Sequence, residues 1–334
     1  MSEAPDFPVG ARFTVVGGTG AVGRLFVERL LGSGAAVTAV DLAPASAAVP
    51  RPSVNYRYLQ GDLGSVSLEL AEELARADAV VLAVPELVAY GSAGKLCGLL
   101  GPHTLLVDTL SVKGPLVDAV RAAAPERELV GLNPMFAPSL GFEGRPVAAV
   151  TVNPGERSRQ LLELVGSWGG RVVPVTPDGH DRLAAATQAL PHAAVLALGL
   201  ALPALGIDIV ELASVAPPPF TTMLALLARI ASGNPEVYWD IQWANPQARQ
   251  ARAALADGLR TLSDLVRSDD GTGFAEAQRQ LRGFLGGELD RYAAHCAHLF
   301  ESIPSASIPS ESNPTESPVS EPRAHVSTGG TTDD

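Results

Sequence analysis

The chain has 334 residues, of which 46% are hydrophobic and 18% charged, so it is a globular protein long enough for two domains rather than a disordered one. Its net charge of -12 argues against nucleic-acid binding, which needs clustered lysine and arginine. The first residues lack the basic start and apolar run of a signal peptide, which favours a cytoplasmic location.

The chain begins with a strand, a glycine-rich turn, a helix and a second strand. Residues 13–16 are a short apolar run, a helical pattern covers residues 21–31, and residues 36–40 are a second apolar run closed by Asp41. This order predicts one β-α-β unit.

Apolar runs continue to alternate with helical patterns up to about residue 176. Further strands are predicted at residues 79–84, 105–107, 129–132, 147–152 and 172–175. Continuous apolar strands separated by helices are typical of a parallel sheet that is covered on both faces. The expected fold class is therefore α/β, with a Rossmann-type doubly wound parallel sheet over residues 1–176.

Strand-like runs are missing after residue 176, and residues 180–300 read as helices interrupted at 216–219 and 233–235. We expect an all-helical domain over residues 177–302, followed by a disordered tail over 303–334 that is rich in Ser, Pro, Thr and Glu. The apolar run 189–205 is shorter than the roughly 20 residues of a membrane span. We expect this run to be buried on most sides, in part by a second subunit.

Gly18, Gly20 and Gly23 form a G-x-G-x-x-G motif that follows a strand and opens a helix. In a dinucleotide-binding loop, the first glycine permits the tight turn, the second admits the pyrophosphate, and the third lets the helix pack close to the strand. The pyrophosphate then lies at the positive end of the helix. The alternative is a glycine-rich structural turn.

Asp41 follows Gly23 by 18 positions, at the end of the second strand. A carboxylate there would bind the ribose hydroxyls and repel a 2′-phosphate, which favours NAD over NADP, although Arg51 could still bind that phosphate. Ligands of such sheets lie at the carboxyl ends of the strands. The residues expected to bind the cofactor are Gly18, Thr19, Gly20, Ala21, Val22, Gly23, Asp41, Val84, Pro85 and Asp108.

Four further segments resemble the prephenate dehydrogenase family, in the family's order. They read D-T-L-S-V-K from Asp108, G-L-N-P-M-F-A-P from Gly131, H-D from His180 followed by Q-A-L-P-H, and R-I-A-S-G-N-P-E-V-Y-W-D-I from Arg229. With the glycine loop, they cover about residues 10–300. The resemblance implies a Rossmann-type domain followed by a helical domain that also forms a homodimer.

The resemblance also implies an oxidative decarboxylation, in which hydride leaves ring carbon C4 for the nicotinamide and CO2 leaves C1. His192 would be the catalytic base on the C4 heteroatom, and Ser111 would bond that heteroatom or His192. On the residues alone, His192 is more typical of a core histidine, and Ser111 could equally be a helix N-cap.

Arg229 would anchor a substrate carboxylate, because its guanidinium matches a carboxylate with two hydrogen bonds. Gln188 precedes His192 by four positions and would share its helix face. By the same resemblance, His180 and Asp181 would orient the start of the catalytic helix. The alternative for Arg229 is a surface arginine near a helix end.

Two positions depart from the family pattern. Asn133 stands where many members have histidine, and Thr221 lies where some members carry a second arginine, so the pocket should be less basic. Both are expected to contact substrate. This form resembles the branch of antibiotic pathways that acts on 4-amino-4-deoxyprephenate and yields 4-aminophenylpyruvate.

Three alternatives remain at this point. The substrate could be prephenate, for tyrosine synthesis. A hydroxyacid or imine reductase is a second enzyme class, weakened because no lysine follows Lys113. A non-catalytic NAD-binding sensor is a third. No metal is expected, because Cys296 with His295 and His298 lacks a fourth ligand, and Cys97 should be a buried structural thiol.

Overall fold

The computed structural model describes residues 7, 10–44 and 54–303, and its strands form one sheet in the order β3-β2-β1-β4-β5-β6-β7-β8. The strands are β1 (Arg12–Val16), β2 (Ala36–Asp41), β3 (Tyr56–Gln60), β4 (Ala79–Leu82), β5 (Leu105–Asp108), β6 (Leu129–Pro134), β7 (Pro146–Val152) and β8 (Arg171–Pro174). The expected α/β sheet is confirmed, and each predicted run corresponds to a strand.

Helices alternate with these strands and then continue alone. Those among the strands are α1 (Ala21–Gly32), α2 (Leu68–Arg76), α3 (Glu86–Leu99), α4 (Gly114–Ala123) and α5 (Glu156–Ser167). Those after β8 are α6 (Pro177–Ala184), α7 (Leu190–Ala201), α8 (Ile209–Ser214), α9 (Pro218–Ala231), α10 (Pro235–Trp243), α11 (Ala248–Arg267), α12 (Gly271–Leu285) and α13 (Leu289–Glu301). The loss of strands after residue 176 is as predicted.

The sheet is parallel, as expected, except at one edge. β6 and β7 are antiparallel, and β8 is parallel to β7, so the last two strands run against the other six. A parallel crossover needs a dozen or more residues, usually including a helix. Only residues 135–145 join β6 to β7, with a single 3-10 turn at Pro138–Leu140, so the chain reverses there.

The sequence patterns did not predict β3 or α2. The β3 sequence YRYLQ alternates partly exposed and exposed positions and has one buried residue, Leu59, because β3 lies at the edge of the sheet. Such a strand lacks the continuous apolar run of the central strands.

Apolar clusters cover both faces of the sheet. On one face, Phe26 of α1 packs edge-on against Phe142 at 5.7 Å and against Trp168 at 5.9 Å between ring centroids. Phe26 and Phe142 are completely buried. These contacts fix α1 on the sheet, and therefore fix where the amino end of α1 lies.

A continuous helix begins the helical part. It comprises α6, a π-helical turn at Ala185–Ala189, α7 and a 3-10 turn at Leu202–Leu205. By length and composition alone, this 29-residue helix could cross a membrane. A single chain leaves much of the 189–205 run exposed, with Leu200 at 80%, so its expected burial in part by a second subunit stays a prediction.

The described contacts divide the chain into two compact units. The boundary along the chain lies between Gly286 and Gly287. The first unit contains the whole sheet and helices α1 to α12. The proposed domain boundaries at 176/177 and 302/303 stay predictions. The predicted tail lies, from residue 304 onward, outside the described residues.

Candidate functional site

The turn between β1 and α1 is built on Gly17, which the motif did not include. Gly17 has φ of +81°, the left-handed region that favours glycine, so the tight turn assigned to Gly18 belongs to its neighbour. The amides of Gly17 and Gly18 donate to the carbonyl oxygen of Val40 at 2.8 and 3.1 Å. The turn is thereby tied to the end of β2.

Glycine is required at positions 18 and 23 because neighbouring atoms lie too close to the backbone there for a side chain. A Cβ atom on Gly18 would lie 2.7 Å from the Cβ of Ala39, and one on Gly23 would lie 2.1 Å from the carbonyl oxygen of Gly17. Gly20 is the N-cap of α1 and provides no side-chain cap, so amides of the first turn stay available to a ligand. This cradle fits an anionic pyrophosphate.

Asp41 closes the other side of this cradle. Its Oδ2 accepts hydrogen bonds from the Thr19 amide at 2.9 Å and the Thr19 hydroxyl at 2.6 Å. Partial burial raises the pKa of Asp41, but hydrogen bonds from Thr19 and from the amides of Leu42 and Ala43 together hold that pKa below its usual range. The carboxylate is therefore ionised at neutral pH, as an acceptor for ribose hydroxyls must be. Arg51 lies outside the described residues.

Asp108, expected to bind cofactor, is instead part of a buried ion pair. Its Oδ1 lies 2.5 Å from Nζ of Lys113, which also donates to the carbonyl of Leu132 at 3.0 Å. Both side chains have no exposed surface, so Asp108 is not accessible to a ligand. Burial raises the pKa of Asp108 despite the neighbouring ammonium. This correction makes Asp108 a structural residue.

The buried ion pair explains a glycine in the second family segment. A Cβ atom on Gly131 would lie 2.8 Å from Oδ2 of Asp108 and 2.9 Å from Cδ of Lys113. Any side chain at Gly131 would displace the pair, and with it the end of β6 that leads to Asn133.

Asp181 connects α6 to the start of α4. Its carboxylate accepts from the amides of Lys113 and Gly114 at 2.8 and 2.9 Å, so it caps the start of α4. Its backbone carbonyl accepts from Asn245 at 2.8 Å. Burial raises the pKa of Asp181, but the hydrogen bonds from His180 and these amides lower it further, so the group is ionised.

His180 connects Asp181 to Asn133. Nδ1 of His180 lies 2.8 Å from the Asp181 carboxylate, and Nε2 lies 3.0 Å from Nδ2 of Asn133. A carboxylate only accepts, so Nδ1 carries a proton and donates to Asp181, which leaves Nε2 as the acceptor for the Asn133 amide. The amide oxygen Oδ1 of Asn133 is then left for a ligand at the end of β6. His180 and Asp181 thus do more than orient a helix.

Ser111 is held by a carboxyl group that the sequence interpretation did not identify. The amide of Ser111 donates to Oε1 of Glu86 at 2.8 Å, and Asp240 of α10 lies against the amide of Glu86 at 3.5 Å. Burial and the Asp240 carboxyl group raise the pKa of Glu86 to about 8. An acidic residue directly after the strand end at Val84-Pro85 was the available sequence signal.

His192 lies in the first turn of α7, with its ring edge-on to Tyr238 at 5.1 Å between centroids. Its Nδ1 is buried and has no partner among the described residues. Burial, and then the charge of Arg229, lower the pKa of His192, so the ring is neutral at neutral pH. A buried nitrogen without a partner is typical of a ligand site.

Gln188 lies in the π-helical turn before His192. Its Nε2 is 3.8 Å from the sulfur of Met135, two residues after Asn133, and its Oε1 is buried without a partner among the described residues. π-helical turns occur frequently at functional sites. Gln188 thus brings the helical segment to the end of β6.

The remaining candidates are less enclosed. Arg229 is exposed at the end of α9, and its charge reaches His192. Thr221 is half-buried, and its hydroxyl donates to the carbonyl of Pro217 at 3.3 Å, in its own helix. The structure therefore gives no partner to Thr221 beyond α9 within the described ranges.

Comparison with known proteins gives consistent matches. A family model described as "Prephenate dehydrogenase, dimerization domain" matches residues 176–280. A Streptomyces pristinaespiralis protein named 4-amino-4-deoxyprephenate dehydrogenase is 51% identical over 87% of this chain and 97% of its own length. A probable arogenate/prephenate dehydrogenase of Methanocaldococcus jannaschii is 26% identical over 84% of this chain and 62% of its own length.

Among solved structures, a prephenate dehydrogenase from A. aeolicus in complex with hydroxyphenyl propionate and NAD+ has the same fold. Its TM-score is 0.64 at 21% identity, over 81% of this chain and 96% of that chain.

The Lys113–Asp108 pair gives a stability prediction. Lys113→Met leaves the fully buried Asp108 carboxylate without its cation, and we expect a loss of about 3–5 kcal/mol in the free energy of unfolding at neutral pH. The loss should shrink at acid pH, where Asp108 can take up a proton. Urea unfolding followed by circular dichroism measures it.

The matched control is the double variant Lys113→Met with Asp108→Asn, which buries a neutral amide in place of the unpaired charge. It should recover part of the loss. A double variant as unstable as Lys113→Met at every pH would contradict the charge argument.

Proposed function

This chain belongs to the prephenate dehydrogenase family, and we propose that it catalyses the NAD-dependent oxidative decarboxylation of 4-amino-4-deoxyprephenate to 4-aminophenylpyruvate and CO2. The observation that carries the proposal is the relative of that name, 51% identical across almost its whole length. Asn133 at the end of β6 supports the same substrate from the chemistry of the site.

The cofactor site supports NAD. The cradle of Gly17, Gly18 and Gly23 has no room for side chains, and the ionised Asp41 carboxylate suits a ribose diol and disfavours a 2′-phosphate. NAD, when bound, supplies the hydride acceptor. Val84 and Pro85 follow the neighbouring strand β4, with Pro85 as the N-cap of α3, and would line the same edge of the sheet.

The substrate's own chemistry needs little proton transfer. The electron pair of the bond between C1 and its carboxylate moves into the ring as CO2 leaves, and the C4 hydrogen leaves with its pair as hydride. A neutral amine at C4 assists through its lone pair, whereas an ammonium group cannot. The chain must therefore keep the C4 amine neutral.

His192 suits that task in this proposal. Because its ring is neutral and Nδ1 lacks a protein partner in the described part of the chain, it can accept a hydrogen bond from the neutral C4 amino group, which need not lose a proton in the reaction. Ser111, from the loop after β5, would hydrogen-bond the same nitrogen or the imidazole.

Asn133 would discriminate between amine and hydroxyl substrates. Its amide oxygen only accepts hydrogen bonds, and its orientation is fixed through His180 and Asp181. A primary amine offers two N–H donors, one for His192 and one for Asn133, whereas a hydroxyl offers a single donor. A buried acceptor left without a donor costs about 1–3 kcal/mol.

Arg229 would bind a substrate carboxylate through its guanidinium, and Gln188 offers its buried Oε1 and its amide to the substrate chain. Thr221, half-buried two turns before Arg229, would line the same pocket as a neutral group. The pocket thus has fewer positive charges than a second arginine would give.

A homodimer would complete the helical part. Exposed apolar side chains such as Leu200, at 80%, and Trp239, at 60%, lie within the residues matched by the dimerization-domain model. A second copy would bury them. Large exposed apolar patches usually mark a surface that contacts another protein. A cytoplasmic location accords with this proposal.

The direct test is NADH or NADPH formation by the purified protein with 4-amino-4-deoxyprephenate and with prephenate, each with NAD and with NADP. We expect kcat/KM to be highest for the amino compound with NAD, because of Asn133 and Asp41. A clear preference for prephenate would overturn the substrate assignment. Binding of NAD without turnover of either compound would favour a cofactor sensor.

Arg229 and His192 give a pH prediction. The Arg229 charge lowers the pKa of His192, so Arg229→Gln should raise that pKa toward its ordinary value. His192 must be neutral to accept the hydrogen bond of the C4 amine, so the acid fall in kcat/KM should move to higher pH. We also expect kcat/KM to drop about 10- to 100-fold from the lost carboxylate contact.

Arg229→Lys is the matched control, because it keeps the positive charge without the guanidinium fork. Its acid fall should stay near that of the wild type while KM rises. Identical pH profiles for Arg229→Gln and wild type would exclude this coupling of Arg229 to the catalytic base.

A further inference from the structure

Two buried carboxyl groups meet where the sheet contacts the helical part. Glu86 is the first residue of α3, directly after the strand end at Val84-Pro85, and Asp240 lies in α10. Each has only 5% of its surface exposed. Oδ2 of Asp240 lies 3.5 Å from the amide of Glu86, although 154 positions separate them.

No cation neutralises these two groups. Among the ion pairs of the described residues, none includes Glu86 or Asp240. The ammonium of Lys113, buried nearby in the loop, is held by Asp108 and the Leu132 carbonyl. Two buried carboxylates in contact cannot both be ionised at low cost, so one of them keeps a proton.

Neighbouring acidic groups also favour a protonated carboxyl group at this pair. Tyr90, one turn after Glu86 in α3, has its pKa raised by burial and then by the charges of Glu86, Asp108 of β5, Asp181 of α6 and Asp240 of α10. The charges that act on Tyr90 beside the pair are therefore acidic, and the nearby Lys113 ammonium is held by Asp108. Burial and Asp240 raise the pKa of Glu86 to about 8.

We propose that Glu86 and Asp240 share one proton, and that this carboxyl pair positions Ser111 and holds α10 against the start of α3. Neither residue touches the substrate in this account, so both are positioning residues. The effect on turnover rests on the proposed function, since it acts through Ser111, whereas the shared proton does not.

The hydrogen-bond pattern explains how one proton serves both contacts. A protonated carboxyl can donate its hydrogen to the partner carboxylate while Oε1 of Glu86 still accepts from the Ser111 amide at 2.8 Å. Loss of the proton leaves two anions in contact in a buried site. Their repulsion separates α10 from α3 and releases the loop that carries Ser111.

The sign of the pH effect follows from linkage. The pKa of Glu86 is raised in the folded chain, so the stabilisation is fully present below its ordinary value of 4.5 and is lost as pH rises through about 8. The wild type should therefore lose stability between about pH 5 and pH 8, relative to a variant that cannot ionise there.

Glu86→Gln and Asp240→Asn are the variants that test the pair, because each replaces one carboxyl by an amide of the same size. A Gln at 86 keeps an acceptor for the Ser111 amide and a donor toward Asp240. An Asn at 240 donates to an ionised Glu86. We expect the urea midpoint of the wild type to fall relative to Glu86→Gln as pH rises from about 5 to about 9, and to fall less relative to Asp240→Asn, in which burial alone still raises the pKa of Glu86.

The same pH series is then measured for kcat/KM with 4-amino-4-deoxyprephenate. The wild type should lose activity above about pH 8, Glu86→Gln should lack that alkaline fall, and Asp240→Asn should show a smaller one. A residue that only fills space would shift the stability of a variant equally at every pH. Parallel stability curves for wild type and both variants would overturn the proposal.

An infrared measurement keeps the test independent of turnover. At neutral pH the wild type should show a carbonyl band of a protonated carboxylic acid that Glu86→Gln lacks, and that band should disappear as pH is raised. Its disappearance without any NADH formation would retain the shared proton while the proposed function fails. A wild-type spectrum without the band at neutral pH would exclude the shared proton.

Discussion

The junction between the sheet and the helical part is constrained by buried acids. Glu86, Asp108, Asp181 and Asp240 each have less than a tenth of their surface exposed, and a buried carboxylate is costly unless it is paired, hydrogen-bonded or protonated. Each of these carboxyl groups is stabilised by a different contact. Asp108 has Lys113, Asp181 has His180 and the amides of α4, and Glu86 has Asp240.

These contacts also position the candidate catalytic groups. The Asp181 carboxylate fixes the tautomer of His180, which in turn sets the direction of the Asn133 amide. Glu86 holds the amide of Ser111. The residues that would contact the substrate at the sheet edge are therefore oriented by the buried carboxyl groups of Asp181 and Glu86. The hydrogen bonds that orient those residues also stabilise the buried carboxyl groups. Replacing one acid would disturb both stability and geometry.

Much of the architecture was predictable from local patterns. The glycine motif followed by a helix and Asp41 predicted the cofactor site, and the structure shows that Gly18 and Gly23 leave no room for a side chain, whereas the tight turn lies at Gly17 outside the motif. The switch from strands to helices near residue 176 was visible in the periodicity. The reversal of β7 was missed because an apolar strand carries no sign of its direction, although the short connection after β6 could have indicated it.

The site itself was less predictable from the residues alone. Asp108 was assigned to the cofactor from its place at a strand end, but only the folded chain shows Lys113 covering it. The pairing of Glu86 with Asp240 spans 154 positions, and no periodicity or spacing encodes such a contact. His192 and Arg229 came from the resemblance, and the structure places both in the helical part, with the charge of Arg229 reaching the imidazole.

The most direct test of hydride transfer from C4 uses substrate labelled with deuterium at that carbon. 4-Amino-4-deoxyprephenate carrying deuterium at C4 is incubated with the protein and NAD, and the reduced cofactor and released CO2 are measured by mass spectrometry. The account predicts one deuterium in each reduced cofactor molecule and one CO2 for each, because the two bonds break in one reaction. Deuterium found in water, or CO2 released without reduced cofactor, would contradict it.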